Sequence, residues 1–171
     1  MMFFKSWRSQ STLEQQLQTH LPMLERIVAS YEAIPAIQQE LMQEVVLAIW
    51  SSFDKFKGDS AMKTYFARIA HNRCISHVDK AVKNLAEQEL SEHVCQSAFI
   101  DEQLSEQQKY QQLLAQIRQL PTMQKQVISL FLEGFSYQQI ADVCGLTTSN
   151  VGVMLNRIKQ QLSQFFTEES S

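Results

Sequence analysis

The stretch that most constrains the fold lies near the C-terminus, at residues 133–162, EGFSYQQIADVCGLTTSNVGVMLNRIKQQL. Two helices cross closely only where a side chain is nearly absent. Here Ala141 lies at the crossing, and Gly145, four residues on, makes the turn. Ile140, Cys144, Leu146, Val151 and Leu155 supply the apolar seam. This is the pattern of a helix-turn-helix. Thr147 or Thr148 is placed to cap the second helix by accepting a hydrogen bond from an exposed amide. Gln138 and Gln139 face outward on the first helix. Thr148, Ser149, Asn150, Asn156, Arg157 and Lys159 give the second the polar reach that reading a major groove requires. Helix pairs of this shape also serve as structural corners, so the pattern speaks more strongly for the motif than for DNA.

The rest of the chain reads as helical too. With 4 Gly and 3 Pro in 171 residues, and no alternating apolar run bounded by hairpin turns, strands have little support. An all-α protein is expected. Leu13, Leu17, Leu21, Leu24, Ile27, Val28 and Tyr31 recur at helical spacing, with Pro22 expected to start a second segment or bend the first. Leu41, Val45, Ala48 and Ile49 form the next stripe, closed by a turn around residues 54–58. Ser60 is expected to cap a helix whose apolar positions are Met62, Tyr65, Phe66, Ile69 and Ala70. Two further helices, at 104–120 and 122–133, meet at Pro121.

A formal charge of −3 argues against a protein that coats DNA by bulk electrostatics, so any nucleic-acid site must be a local patch. Between residues 50 and 83, Lys55, Lys57, Lys63, Arg68, Arg73, Lys80 and Lys83 outnumber Asp54, Asp59 and Asp79. Between 84 and 107 the sign reverses: Glu87, Glu89, Glu92, Asp101, Glu102 and Glu106 occur with no Lys or Arg. That acidic stretch lacks a clean apolar period and is read as a linker between two small helical domains. Tyr65 and Phe66 sit among the cations of the first patch. Rings interleaved with Lys and Arg suit single-stranded nucleic acid, since stacking on an unpaired base is worth about 1–3 kcal/mol. The same spacing suits core packing, more so for Phe66.

Other chemistries find little support. His71, Cys74, His77, His93 and Cys95 invite a zinc site, but His77 lies well round the helix from His71 and Cys74, and no paired CxxC supports it. No metal or cofactor is expected. Catalysis is not expected either, because there is no phosphate-cradling Gly-rich loop, nucleophile elbow or recognisable carboxylate pair. Three scattered cysteines fit a reducing cytoplasm, and neither a spanning segment nor a signal peptide is read.

Three segments in order, ELMQEVVLAIW at 40–50, FDKFKGDSAMKTYFARIAHN at 53–72 and LPTMQKQVISLFLEGFSYQQIADVCGL at 120–146, resemble bacterial sigma factors of the extracytoplasmic-function type. These contain only regions two and four, joined by a linker. The resemblance covers about residues 20–162. It implies a region-two-like domain at 1–83, the acidic linker at 84–107 and a region-four-like domain at 108–171. It further implies that the helix of Glu40, Leu41, Gln43 and Glu44 docks on the largest subunit of core RNA polymerase, with Leu41 also holding the core. Lys57, Lys63, Arg68 and Arg73 would take phosphates of the minus-ten promoter element, with Tyr65, His71 and Asn72 near an unpaired base. The helix-turn-helix would read the minus-thirty-five element. The implied partners are core polymerase and promoter DNA, often with an anti-sigma factor, in the bacterial cytoplasm and without membrane insertion. The family commonly places Lys or Arg, a small polar residue and Arg where this chain has Gly152, Val153 and Met154. Two accounts stay open: the remaining polar residues read a different element, with close backbone approach at Gly152, or the domain binds DNA weakly and leans on polymerase. The alternative reading is a stand-alone helix-turn-helix regulator that binds duplex DNA unaided. A third is an interaction protein that has kept the fold without DNA reading.

Overall fold

The computed structural model describes residues 2–87 and 105–168, with side chains described for 12–85 and 105–165. Seven α-helices follow one another in these residues: α1 (Met2–Ala29), α2 (Pro35–Ser52), α3 (Met62–Glu87), α4 (Glu106–Gln119), α5 (Thr122–Leu132), α6 (Tyr137–Cys144) and α7 (Thr148–Glu168). No strand occurs among them.

The N-terminal half is a three-helix bundle. Leu13, Leu17, Leu24, Ile27 and Val28 of α1 pack with Leu41, Val45 and Ile49 of α2 and with Phe66, Ala67, Ala70 and Cys74 of α3. Each set recurs every three or four residues, which turns it to one face of its helix. Pro35 opens α2 at a position where a missing N–H costs nothing. Of the two expectations for Pro22, a new segment is not formed: α1 runs through it. An interior proline costs about 3 kcal/mol, and the buried Met23, Leu24, Ile27 and Val28 just beyond it offset that loss. A single 3₁₀ turn, Phe53–Lys55, closes α2, and the chain reverses through Gly58 at φ 80°. The α3 ladder begins with the Tyr65 N–H donating to the Ala61 carbonyl, one residue later than a Ser60 cap would place it. At its other end α3 runs to Glu87, into the stretch read as linker, most of which lies outside the described residues.

The C-terminal half follows its turn chemistry closely. Ser105 and Gln108 form a reciprocal capping box on α4, and Ser136 and Gln139 form one on α6. Gly145 ends α6 in the left-handed region, at φ 67°, and the Thr147 hydroxyl accepts the Asn150 N–H at 3.2 Å to open α7. Ile140 and Ala141 pack under α7 against Val151, Leu155 and Ile158, all buried. Gly152 lies beside Tyr137, and a Cβ there would meet the ring at 3.5 Å, an ordinary packing contact.

The two halves share a seam. Six consecutive residues of α5, positions 125–130, are buried, because α5 packs on α4, α6 and α7 and also on α3. The Ser129 hydroxyl donates to the Ser30 hydroxyl at 3.0 Å, and Arg118 Nε donates to the Ala29 carbonyl at 2.9 Å. Lys125 Nζ stands 5.2 Å from the centre of the Tyr31 ring. Arg26 meets Glu133 through two parallel hydrogen bonds of 2.7 and 2.8 Å.

The two helix-turn-helix glycines are expected to respond in opposite ways to alanine. Gly145→Ala forces a side chain into the left-handed region and should lower stability by about 1–2 kcal/mol. Gly152→Ala meets only ordinary van der Waals contact and should raise it by about 0.5–1 kcal/mol through helix propensity. Urea-unfolding midpoints of the two variants beside the parent check both signs.

Candidate nucleic-acid interface

Helix α3 divides its residues between two tasks. Its inward face is closed by Phe66, Ala67, Ala70 and Cys74, while Arg68, Asn72 and Arg73 stand exposed on the other side. Lys57 is exposed in the preceding loop. Asn72 and Arg73 border a small cleft with Ala48, Ser52, Ile69 and Ser76. Tyr65 is half-buried, its ring centre 4.7 Å from that of Phe56. Its hydroxyl lies 2.9 Å from the Ser52 carbonyl and 2.8 Å from the Ser52 hydroxyl. These contacts pin the end of α2 to the start of α3 and hold the cation-bearing loop between them.

His71 is corrected from a base contact to a core residue. It is wholly buried, and its Nδ1 shares a 2.8 Å hydrogen bond with the Tyr31 hydroxyl. Burial holds its pKa down at about 3, so the ring is neutral, and Nε2 is buried without a partner. The signal was present in the sequence. His71 falls in the stripe of Ala67, Ala70 and Cys74, three and four residues apart. Burial also pushes the Cys74 thiol up to about 12, leaving it an inert, protonated filler. Lys125 is lowered, first by burial and then by Arg118 nearby.

Lys63 and Arg68 are engaged by the other half of the chain. Lys63 Nζ donates to the Glu133 carbonyl and lies 4.5 Å from the centre of the Phe135 ring. Arg68 donates to the Asp142 carbonyl at 3.4 Å. Sequence reasoning did not find these contacts, nor the role of Arg26 and Glu133, because the partners are far apart along the chain.

On α2, Glu40, Gln43 and Glu44 are exposed, but Leu41 is buried beneath them and belongs to the core alone, not to a docking face. An apolar groove lined by Leu21, Val28, Pro35, Met42, Val46 and Leu47 runs alongside. On the helix-turn-helix, Thr148, Ser149, Asn150, Asn156, Arg157 and Lys159 are all exposed. Gln138 donates to Asp142 at 2.9 Å, and Gln139 serves the α6 cap. Lys159 Nζ sits 4.2 Å from the centre of the Phe131 ring. Met154 packs against the core, Val153 is exposed, and Gly152 turns towards Tyr137. No group of three metal-ligating residues occurs among the described residues; His93 and Cys95 lie outside them. No described helix is long and apolar enough to cross a membrane.

A helix-turn-helix beside a bundle whose third helix carries outward cations defines a two-part nucleic-acid-binding protein. The chain matches the family Sigma-70 region 2 over residues 17–84 and Sigma-70, region 4 over residues 110–162. It belongs to the sigma-70 family, with regions 2 and 4 in the arrangement of the extracytoplasmic-function type, and is a promoter-specificity factor for RNA polymerase. The fold is similar to the sigma factor RpoE from Bartonella quintana, solved in complex with the anti-sigma factor NepR. That match has 21% identity and a TM-score of 0.71, covering 90% of this chain and 96% of that one. It is also similar to CnrH, solved in complex with the cytosolic domain of CnrY, at 19% identity and a TM-score of 0.68, covering 93% of this chain and 90% of that one. No curated protein matches the chain in sequence.

The depressed pKa of His71 has a measurable consequence. The unfolded imidazole binds a proton below its ordinary value of 6.5, while the folded one resists until about 3. The stability due to the neutral ring is therefore complete above pH 6.5 and declines as pH falls towards 3, by about tenfold in the folding equilibrium per pH unit. His71→Gln should remove this component, giving a shallower loss of stability than the parent in unfolding curves taken between pH 6.5 and 4.

Proposed function

We propose that this sigma factor divides promoter recognition between the outward face of α3 and the outward face of α7, while α2 docks on polymerase. The observation that carries the reading is the separation of faces. Arg68, Asn72 and Arg73 on α3, and Ser149, Asn150, Asn156 and Arg157 on α7, stand exposed over helices whose opposite sides are buried. Lys57, Lys63, Arg68 and Arg73 take phosphates of the minus-ten strand, which are recognised by charge alone. Asn72, bordering the cleft with Ser52 and Ser76, is the residue placed to hydrogen-bond an unstacked base. Tyr65 acts indirectly by fixing the loop that carries Lys57.

At the helix-turn-helix, Arg157 is the strongest candidate for a guanine edge, since a bidentate pair contributes about 1–3 kcal/mol of discrimination. Asn150 and Asn156 suit adenine. Val153 offers a methyl group to thymine, a contact that the family's usual cations do not make. Glu40, Gln43 and Glu44 present an acidic and polar edge beside the apolar groove of α1 and α2, a surface suited to a basic helix of the polymerase. An anti-sigma factor is part of the proposal, supported by the NepR complex of the similar RpoE. The factor acts in the bacterial cytoplasm, carries no catalytic chemistry and requires no metal. The stand-alone regulator is not favoured, because regions 2 and 4 match in order along one chain.

Run-off transcription with the purified chain and core polymerase, on fragmented DNA of its host, tests the reading. Discrete new starts that share two upstream elements are expected. Within that assay Arg157→Ala should weaken use of the upstream element about thirtyfold, the middle of the range for one base contact, with polymerase binding retained. Glu44→Ala should instead weaken binding to core polymerase. Identical behaviour of the two variants would contradict the division of labour.

A further inference from the structure

The outward strip of α7 has a gap in its middle. Ser149, Gly152, Val153 and Asn156 follow at helical spacing, which sets them on one side of the helix. Ser149, Val153 and Asn156 are exposed there, while Gly152 between them has no side-chain atoms with which to reach a base.

A residue of the other helix stands against that gap. A Cβ at Gly152 would lie 3.5 Å from Tyr137 Cε2 and 4.0 Å from Cδ2, so one edge of the ring faces this point of α7. Tyr137 opens α6 and is 41% exposed. Phe131 stands beside it, with ring centres 6.4 Å apart and planes tilted by 59°. Tyr31 and Tyr65, which pack in the N-terminal bundle, tie their hydroxyls to His71 and Ser52. The Tyr137 hydroxyl has no hydrogen-bond partner among the described residues, so the ring is held from its sides and open at its end.

The strip is therefore polar at Ser149 and Asn156 and apolar between them, where the Tyr137 ring meets the gap and Val153 is 53% exposed. An apolar surface in a major groove discriminates by the one apolar group that base edges display there, the 5-methyl of thymine.

We propose that Tyr137 is a specificity-determining residue of the upstream element, its ring edge at the Gly152 gap receiving the 5-methyl group of a thymine. The proposal rests on the reading of the helix-turn-helix as the part that enters the major groove. It moves one letter of recognition from α7 to α6. It also gives Gly152 a task, because a long side chain at that position would start across the ring and displace it.

The test uses holoenzyme made from the full chain and core polymerase, on a promoter mapped by run-off. Each thymine of the upstream element is replaced in turn by uracil, which lacks only the methyl group. With the parent, transcription is expected to fall about fourfold at one or more thymines, the effect of one buried methyl group. At one of these, Tyr137→Ala should use thymine and uracil alike, and so should Gly152→Arg, whereas Tyr137→Phe, which keeps the ring, should retain the fourfold ratio. Each ratio is taken within one variant, so a folding defect, which lowers both templates together, does not produce this pattern. If every ratio survives Tyr137→Ala, the methyl contacts belong to α7 and the proposal is wrong. Arg157→Ala is measured on the same promoter. If it weakens transcription while uracil has no effect anywhere, the helix-turn-helix reading stands and the proposal alone falls. If neither has an effect, or the chain yields no new starts, the reading falls and the proposal falls with it.

Discussion

Helix α5 has neighbours on every side, and most of the molecule's behaviour follows from that. Its apolar residues, Val127, Ile128 and Leu130, belong to the buried core. Lys125 and Ser129, whose contacts cross to the N-terminal bundle, are polar. Burying such groups is tolerated because the Ser129 hydroxyl has a partner and the Lys125 ammonium faces a ring, yet neither gains much over water. These polar contacts lie at the edge of an apolar core that runs through both halves.

Electrostatics works locally in the same way. The chain is net acidic, which keeps it from clinging to DNA at large, while α3 concentrates its cations on one exposed face. Oxygen atoms of Glu133 and Asp142 meet those cations within the chain. The donors are Lys and Arg, which donate to carbonyl, carboxylate and phosphate oxygens alike.

Local grammar was legible in the sequence. Gly145, Thr147 and the Ile140 to Leu155 seam specified the helix-turn-helix, and Leu41, Val45 and Ile49 specified the buried stripe of α2, because spacing alone turns such residues to one side. What escaped was of two kinds. Pro22 and His71 were judged by residue type, but packing decided both: neighbouring apolar residues carried α1 through the proline, and the stripe of α3 drew the imidazole inside. The pairing of Arg26 with Glu133 spans 107 residues, and no periodicity encodes a contact of that range. Tyr65 lay between the two kinds. Its ring was legible as amphipathic, but its hydroxyl contacts with Ser52 needed coordinates.

The recognition helix has one further property. Val151, Leu155 and Ile158 lock α7 to its neighbours, whereas Ser149, Asn150, Val153, Asn156 and Arg157 contribute little to that packing. Substitutions on such an outer face usually change stability by less than about 0.5 kcal/mol and act independently of the core. The residues of this outer face can thus be exchanged one at a time while the frame that carries them stays intact. Of the three residues Gly152, Val153 and Met154, only Val153 stands on that outer face; Met154 packs on the core and Gly152 lies against Tyr137.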